Sequence, residues 1–220
     1  MKLDLHIHSL FSSDGRMDVR TIVQMAKALR LDGLAITDHN SLESAGKFAD
    51  FKDSGLLLVP GMEISSASGH ILAYGIKTPI QKDLTIEDTI DRIKAAGGVA
   101  VASHPYRKVT GLGEDNVVKG RFRHIEGFNG RTRPAGNRMA VVLAKRIGAN
   151  ITGGSDAHFR EEIGSAFTLV PDNVSSVAEL LEAIFKGLTD AAGTQPRLRK
   201  YAGAASGNVV RWVRRGGHWM

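Results

Sequence analysis

Two histidines near the start of the chain have the spacing of a metal-binding pair. Residues 2–8, with the sequence KLDLHIH, alternate apolar and polar side chains and therefore predict a β-strand. Because side chains two positions apart on a strand point the same way, we expect His6 and His8 to emerge together. Paired imidazoles suit a borderline divalent cation, and Asp14, in a loop predicted for residues 9–15, offers a third ligand.

Similar polar side chains follow other predicted strands, each at the point where the strand ends. The full set is His6 and His8, Asp38 and His39, Glu63, His104, Asn129, and Asp156 and His158. Predicted strands and helices alternate along the chain, which indicates a parallel sheet or barrel with helices outside. Because the carboxyl ends of the strands in a (β/α) barrel meet at one face, we predict that these side chains form one active-site rim.

The elements that would hold this rim follow from periodicity and from capping and turn residues. Helices are predicted for residues 19–31, 41–54, 85–96, 135–147 and 174–187. Strands are predicted for residues 2–8, 34–37, 56–59, 70–74, 99–103, 124–128, 151–155 and 166–170. We expect Pro60 and Gly61 to interrupt a strand, and residues 111–120 to form a loop.

The composition is that of one globular domain with no thiol chemistry. The chain has 220 residues, of which 42% are hydrophobic and 24% charged, and it has no cysteine. Disulfides, thiolate ligands and a cysteine nucleophile are therefore excluded, and the lack of cysteine fits a cytoplasmic protein. The first residues, MKLDLHIH, show no signal-peptide pattern, and no apolar run approaches the roughly 20 residues of a membrane span.

The positive charge of the chain is concentrated near its carboxyl end. The net charge is +6, but no acidic residue follows Asp190, and the segment beyond it carries six arginines and lysines. We therefore predict a neutral catalytic domain over residues 1–190 and a basic tail over residues 191–220. The stretch VVRWVRR at residues 209–215 could contact anionic lipid or nucleic acid. The alternative, which we favour, is that Trp212 packs on the barrel and leaves the arginines in solvent.

The candidate ligands point to hydrolysis of a phosphate ester. Histidines and carboxylates together suit Mn, Fe or Zn, and a carboxylate that binds two cations holds them about 3.5–4 Å apart. Bound metals lower the pKa of water toward roughly 7 and neutralise charge that grows on a phosphoryl oxygen. Arg131 and Arg133 could clamp a substrate phosphate, with Arg107 a weaker candidate. His70 either faces the site or is a satisfied polar residue of a hairpin, and Asp38 could orient a ligand histidine.

Six motifs resemble those of the PHP (polymerase and histidinol phosphatase) superfamily. They are HIHS at 6–9, ITDHN at 36–40, GMEIS at 61–65, SHPY at 103–106, IEGFNGR at 125–131 and GGSDAH at 153–158. The resemblance extends over residues 2–171. It implies a single α/β domain with a distorted, TIM-like (β/α)7 barrel, two or three divalent metal ions, and hydrolysis of phosphoesters.

The resemblance also implies roles for individual residues. His6, His8, Glu63 and Asp156 resemble the ligands of a first metal, and Glu63 would bridge to a second metal that His104 also binds. The remaining ligands, around a third position, would be Asp14, His39 and His158. Glu63, Asp156 and His158 would take part in catalysis, with Arg131, Arg133, Asn129 and His70 near the substrate phosphate. Because trinuclear members typically have histidine where this chain has Asn129, two metals are favoured over three.

Several functions remain open at this point. The favoured substrate is a small nucleotide-type monoester, such as a nucleoside 3′,5′-bisphosphate, because a neutral body lacks the cationic groove that a long polyanion needs. The alternatives are a 5′–3′ exonuclease acting on short RNA or DNA ends, a histidinol-phosphate phosphatase, and a non-catalytic metal-binding module. The sequence does not predict the oligomeric state.

Overall fold

The computed structural model describes residues 1–194, in which strands and helices alternate. The strands are β1 (Lys2–Ile7), β2 (Gly33–Ile36), β3 (Leu57–Ser66), β4 (Gly69–Tyr74), β5 (Val99–Ala102), β6 (His124–Asn129), β7 (Asn150–Gly154), β8 (Ala166–Leu169) and β9 (Asp190–Gly193). The α-helices are α1 (Val19–Ala28), α2 (Ile86–Ala95), α3 (Glu114–Lys119), α4 (Pro134–Ile147) and α5 (Val177–Lys186). Two 3₁₀ helices, Glu43–Ser54 and Arg160–Glu162, complete the described elements.

The strands form a nearly closed barrel, which confirms the predicted fold class. Within the described residues the sheet order is β7-β6-β5-β4-β3-β2-β1-β8-β9. A parallel bridge between Ile7 and Ala157 brings the end of β1 against the segment after β7, so strands β1 to β7 curve round on themselves. The antiparallel hairpin β8–β9 continues the sheet beside β1.

Among β1 to β7, one strand departs from the parallel pattern, and this departure matters for the site. β4 runs antiparallel to both of its neighbours, β3 and β5, whereas the β1–β2, β2–β3, β5–β6 and β6–β7 pairs are parallel. In the β3–β4 pairing Ser65 lies opposite His70. The amino end of β4 therefore lies at the same rim as the carboxyl ends of the parallel strands.

The period-2 pattern of β1 separates an apolar surface from a polar interior. Leu3, Leu5 and Ile7 are fully buried and pack with apolar residues under the helices. His6 and Asp4 are also fully buried, but they point to the opposite side of the strand. This buried polar side of β1 forms part of the barrel interior.

Local sequence accounts for the helices that cover the barrel. Asp18 caps α1, where its carboxylate accepts a hydrogen bond from the backbone N of Thr21 at 2.7 Å. α5 begins with a capping box in which Ser176 and Glu179 satisfy each other's backbone N–H groups. Both helices bury one apolar stripe, and Gly187 ends α5 in the left-handed conformation.

Two boundary predictions are wrong, for reasons that lie outside the local sequence. β3 continues through Pro60, because its partner changes there: residues up to Pro60 pair with β2, and residues from Gly61 pair with β4. A missing N–H is tolerated at such a point. Residues 111–120 contain the short helix α3, which is held by the buried side chain of Val117.

Two further elements differ from expectation. The helix predicted for residues 41–54 is a 3₁₀ helix with a kink at Phe51, and only Ser44 within it is buried. Strand β9 was not predicted, and it places residues 190–193 in the sheet. The basic residues expected in the tail, with the stretch 209–215, lie outside the described residues. No helix within residues 1–194 has both the length and the apolar character needed to cross a membrane.

Candidate metal centre

Glu63 of β3 lies at the centre of a group of buried histidines. Its side chain is 1% exposed, and Oε1 lies 2.9 Å from Nε2 of His104 and 3.1 Å from Nδ1 of His70. The second oxygen, Oε2, lies 3.3 Å from Nε2 of both His6 and His8. The two oxygens of one carboxylate therefore face different imidazoles, an arrangement that could bridge two cations.

His6 and His8 are each oriented by a hydrogen bond at Nδ1. Nδ1 of His6 lies 2.8 Å from Oε1 of Glu126, and Nδ1 of His8 lies 3.1 Å from Oγ of Ser12. With Nδ1–H donated in this way, Nε2 of each ring carries the lone pair that a metal needs. The two Nε2 atoms are 3.1 Å apart. Ligand nitrogens on one tetrahedral zinc ion would be separated by about 3.3 Å.

A second group of ligand atoms lies beside His8. Nε2 of His158 is 2.8 Å from Oδ2 of Asp14, and Nε2 of His39 is 3.6 Å from the same oxygen. The rings of His8 and His158 are adjacent, with centroids 4.3 Å apart. One ligand atom from each of these four residues lies within 4.8 Å of the others, so the group could hold a cation.

Asp156 joins the two groups from the loop after β7. Its Oδ1 lies 3.4 Å from Nε2 of His8 and 3.7 Å from Nε2 of His6. Its Oδ2 accepts hydrogen bonds from the guanidinium of Arg107 and, at 3.2 Å, from Nδ2 of Asn129. One carboxylate oxygen is thus directed at the histidines while the other is held by donors.

Asn129 has no free ligand atom in this arrangement. Its Oδ1 accepts hydrogen bonds from Nη2 of Arg107 at 2.9 Å, from the backbone N of Arg131 at 3.0 Å and from Oγ1 of Thr132 at 3.1 Å. Its Nδ2 donates to Oε2 of Glu126 at 3.0 Å and also to Oδ2 of Asp156. The side chain therefore links other residues of the site.

The three predicted phosphate-binding arginines occupy different positions. Arg107 contacts Asp156 directly, and its side chain is 27% exposed. Nη1 of Arg131 lies 4.0 Å from Glu162, and the side chain of Arg131 is 16% exposed. Its charge also helps to lower the pKa of His158. Arg133 is exposed at the start of α4. Of the three, Arg107 is the one whose guanidinium bonds to Asp156, although the sequence made it a weaker candidate than Arg131.

Two of the candidate ligands sit on strained backbone. His104 has a φ of 26° and Asp156 has a φ of 54°, in the left-handed region that side chains other than glycine seldom adopt. Hydrogen bonds hold both residues there: the N of Asp156 donates to the carbonyl of His6 at 2.6 Å, and the N of His104 donates to Glu126 at 2.8 Å. These hydrogen bonds therefore stabilise a strained backbone conformation that directs both side chains into the centre.

The charges of the site set the protonation states of its members. Burial opposes ionisation of Glu63, yet the surrounding histidines hold its pKa well below the usual range. Burial lowers the pKa of His158 to about 4, assisted by the charge of His8, and burial next to a guanidinium lowers the pKa of His104 to about 4. Burial also opposes the charged form of His8, but the carboxylates of Asp156 and Glu63 raise its pKa to about 9. At neutral pH the site thus offers ionised carboxylates and neutral imidazoles at His104 and His158. A proton competes with a metal at His8, and also at His6, where burial opposes the charged form but the surrounding carboxylates raise the pKa well above its usual value.

Two aspartates fix the loops around the centre. Asp38 does not orient a histidine: it accepts hydrogen bonds from the N and Oγ of Ser9, at 2.6 and 2.8 Å. Asp4, which sequence reasoning missed, is fully buried and accepts from the backbone N of Ser155 and of Gly164, each at 2.8 Å. Burial raises the pKa of Asp4 to about 6, although these N–H groups act in the opposite direction.

Glu126 and Ser12 were also missed, although both are visible as polar residues. Glu126 lies between Ile125 and Gly127 in the buried strand β6 and is 1% exposed, and Ser12 lies in the loop after β1 and is 3% exposed. A carboxylate in the middle of a buried strand was the available signal. Which histidine it contacts depends on the closure of the barrel.

The donor set fits a centre for divalent metals. Among the described residues, Oδ1 of Asp14 and Nδ1 of His39 and of His70 are buried without a hydrogen-bond partner. Unsatisfied buried atoms of this kind are costly unless something else binds them. All of the donors are nitrogen or oxygen, the set that suits Mn, Fe or Zn.

Comparisons with known proteins found a matching family model and a similar protein from another organism. A family model described as PHP-associated matches residues 134–189. The uncharacterized protein MJ1587 of Methanocaldococcus jannaschii is 33% identical over 140 residues, which cover 59% of this chain and 82% of that protein.

Two solved structures share the fold at low identity. One is a two-domain protein from Bacteroides vulgatus that contains a predicted PHP-like metal-dependent phosphoesterase: its TM-score is 0.71 at 23% identity, over 88% of this chain. The other is the lesion-specific endonuclease PfuEndoQ from Pyrococcus furiosus, with a TM-score of 0.68 at 19% identity over 90% of this chain. The match spans 65% of the first protein and 60% of the second, so each is substantially longer than the shared region. The PHP-associated family match and the shared fold agree with the resemblance of the motifs, and the chain belongs to the PHP superfamily.

Proposed function

We propose that the protein is a metal-dependent phosphoesterase whose substrate is a small, nucleotide-type phosphate monoester, such as a nucleoside 3′,5′-bisphosphate. The observation that carries this proposal is Glu63, a buried carboxylate whose two oxygens face separate histidines. The name of the similar Bacteroides protein, a PHP-like metal-dependent phosphoesterase, supports hydrolysis of a phosphate ester. When bound in such a centre, divalent ions supply a hydroxide nucleophile near neutral pH and neutralise charge on the phosphoryl oxygen.

The first ion would be held by residues from β1, β3 and the loop after β7. Their ligand atoms are Nε2 of His6, Nε2 of His8, Oε2 of Glu63 and Oδ1 of Asp156. The imidazole nitrogens lie 3.3–3.7 Å from the carboxylate oxygens. Small movements would therefore place all four atoms around one ion.

The second ion would use the other oxygen of Glu63 together with His104 and His70. His70 is 11% exposed, and its Nδ1 lies 3.1 Å from Oε1 of Glu63 without being aligned for a hydrogen bond. The reversed direction of β4 brings it to the rim. We therefore assign His70 as a ligand and not as a substrate contact, since it supplies the imidazole that Asn129 does not.

A third position would be formed by Asp14, His39 and His158, next to His8. Oδ1 of Asp14 has no hydrogen-bond partner among residues 1–194, and Nε2 of His39 lies 3.6 Å from Oδ2 of the same aspartate. The neutral state of His158 at pH 7 suits a ligand and does not suit a general acid. With His70 as a ligand, the argument for two ions over three loses its basis, and we propose three positions.

Arg107 is the residue that we propose to hold the substrate phosphate. The hydrogen bonds to Asp156 and Asn129 use only its Nη2. Its other N–H groups are therefore available to a phosphate oxygen on the exposed side of the guanidinium. Residues 1–190 contain as many acidic as basic side chains, which supports a small substrate.

The test is phosphate release by the full-length, Mn²⁺-loaded protein from a panel of substrates. The panel contains AMP, adenosine 3′,5′-bisphosphate, histidinol phosphate, an aryl phosphate and a 5′-phosphorylated RNA. Asp156→Ala removes a ligand, and Glu182→Gln, which changes an exposed residue of α5, is the matched control. We expect turnover of a mononucleotide or bisphosphate that is abolished only in Asp156→Ala. Metal binding without release from any substrate would refute the enzyme and favour a non-catalytic metal-binding module.

One observation favours a second candidate, an exonuclease that acts on nucleic-acid ends. Gly193 of β9 pairs with Ala166, and the N of Thr194 donates to the carbonyl of Ser165 at 2.7 Å. Ser165 adjoins Gly130 at the rim of the site, so the chain leaves the described fold on the same face as the histidines. The first basic residue of the tail, Arg197, follows three residues later in the sequence.

Salt dependence separates the two candidates. If the tail binds an oligonucleotide, log(kcat/KM) for the phosphorylated RNA falls steeply with log[salt], and replacing its six arginines and lysines by glutamine flattens the slope. For AMP the same replacement has little effect. Equal slopes for both substrates in both proteins would exclude the exonuclease.

A further inference from the structure

Glu126 is a buried carboxylate behind the first metal position, and both of its oxygens accept hydrogen bonds. Its Oε1 accepts from Nδ1 of His6 at 2.8 Å. Its Oε2 accepts from the backbone N of His104 at 2.8 Å and from Nδ2 of Asn129 at 3.0 Å. The side chain is 1% exposed, so water does not replace these partners. Because three donors converge on the two carboxylate oxygens of Glu126, both of these atoms must be hydrogen-bond acceptors.

The contact with His6 decides which nitrogen of that ring can bind a metal. An imidazole that donates from Nδ1 keeps its lone pair on Nε2. Nε2 of His6 lies 3.3 Å from Glu63 and 3.1 Å from Nε2 of His8, inside the proposed centre. We propose that Glu126 is a positioning residue that fixes the Nδ1–H tautomer of His6 and thereby directs its Nε2 lone pair to the metal.

Asn129 extends this control to a second ligand. Its amide Nδ2 donates to Oε2 of Glu126 and to Oδ2 of Asp156, at 3.0 and 3.2 Å. Its Oδ1 accepts three further hydrogen bonds. An imidazole at this position could not donate twice from one nitrogen and accept three times at another atom. Asn129 therefore links Glu126 to Asp156 through its amide group. Together, Glu126 and Asn129 hold His6 and Asp156 in position by hydrogen bonds on the side away from the metal.

Glu126→Gln tests the proposal because it keeps the size of the side chain and removes one acceptor. In one orientation the new NH₂ group faces the Nδ1–H of His6, which favours the tautomer with a proton on Nε2. In the other orientation it faces the N–H donors of His104 and Asn129. No orientation satisfies all three, so we expect metal affinity to fall about 10–100-fold.

The measurement is the Kd for Zn²⁺ in competition with a chromogenic chelator, on the full-length protein. Glu182→Gln, the same chemical change on exposed α5, is the control and should leave Kd within about 2-fold of wild type. Thermal melts of both metal-free variants show whether they fold. An unchanged Kd in folded Glu126→Gln would overturn the proposal.

A second readout needs no variant and keeps the test valid if Glu126→Gln fails to fold. In zinc-loaded, full-length protein labelled with ¹⁵N-histidine, we expect His6 to carry its proton on Nδ1. A proton on Nε2, with zinc bound through Nδ1, would refute the assignment. The inference rests on the proposed metal centre but not on the substrate, because neither measurement uses phosphate release. A protein that binds zinc in this way and hydrolyses nothing would contradict the proposed function alone.

Discussion

Replacement of Glu63 by glutamine should remove two metal positions and leave the third. In the proposed centre, Glu63 supplies Oε2 to the position with His6, His8 and Asp156, and Oε1 to the position with His104 and His70. The group of His8, Asp14, His39 and His158 does not depend on it. An amide is a poor bridging ligand because it carries no charge and has one acceptor oxygen instead of two. We therefore expect Glu63→Gln to retain one ion at most.

The size of this effect can be worked out from binding linkage. A metal at 100 times its Kd stabilises the folded state by about 2.7 kcal/mol per site. Loss of two sites should then remove about 5 kcal/mol of metal-induced stabilisation. For a domain of this size 1 kcal/mol corresponds to roughly 2–4 °C in Tm, so the rise in Tm on metal addition should shrink by about 10–20 °C.

The assay measures Tm of the full-length protein with and without saturating Mn²⁺, together with metal content after dialysis. Comparison of each variant with its own metal-free form cancels the cost of the substitution itself. Glu182→Gln serves again as the control, because its carboxylate is exposed and pairs only with Lys186 among the described residues. If Glu63→Gln kept the full metal-induced shift and the wild-type metal content, the assignment of Glu63 as the shared ligand would be wrong.

Further variants test other parts of the account. Arg107→Ala should lower kcat/KM for a phosphate monoester by about 100-fold, the loss of a charge-assisted contact worth about 3 kcal/mol, whereas exposed Arg133→Ala should change it less than about 2-fold in the same phosphate-release assay. Burial lowers the pKa of His124 to about 4 from 6.5, so its contribution to stability is complete above pH 6.5 and is lost as the pH falls toward 4. Urea unfolding should show that wild type loses up to about 3 kcal/mol more stability over that interval than His124→Gln does, and parallel pH profiles would contradict this. Gly154→Ala would place a Cβ against the backbone of β1 and should lower both Tm and metal content, while Gly46→Ala, where a Cβ meets nothing within 4 Å, should change neither.

The sequence was sufficient where a local pattern determines the outcome. Alternation in residues 2–8 correctly predicts that His6 and His8 emerge together, and Asp18 correctly predicts the start of α1. The strand-end positions of Glu63 and His104 predicted one rim because barrel topology brings such ends together. These predictions needed only the periodicity of each segment and its capping residue.

Features that depend on contacts between distant segments could not be read from the sequence. Pro60 is tolerated because the partner of β3 changes at that residue, which no local pattern shows. β9 has the sequence DAAG, with low strand propensity, and it forms because β8 offers an edge. Glu126 contacts His6 across 120 residues, and a polar residue in a strand does not reveal its partner. Likewise, the loop after β5 brings Arg107 to Asp156, whereas spacing alone favoured Arg131.

Anomalous diffraction from crystals of the full-length protein soaked in Mn²⁺ tests the central claim most directly. The claim is that one buried carboxylate, Glu63, is shared by two metal ions. We predict one anomalous peak at Oε2 of Glu63, among His6, His8 and Asp156, and a second at Oε1, with His104 and His70. Peaks confined to surface carboxylates, or a single peak that does not contact Glu63, would contradict the account.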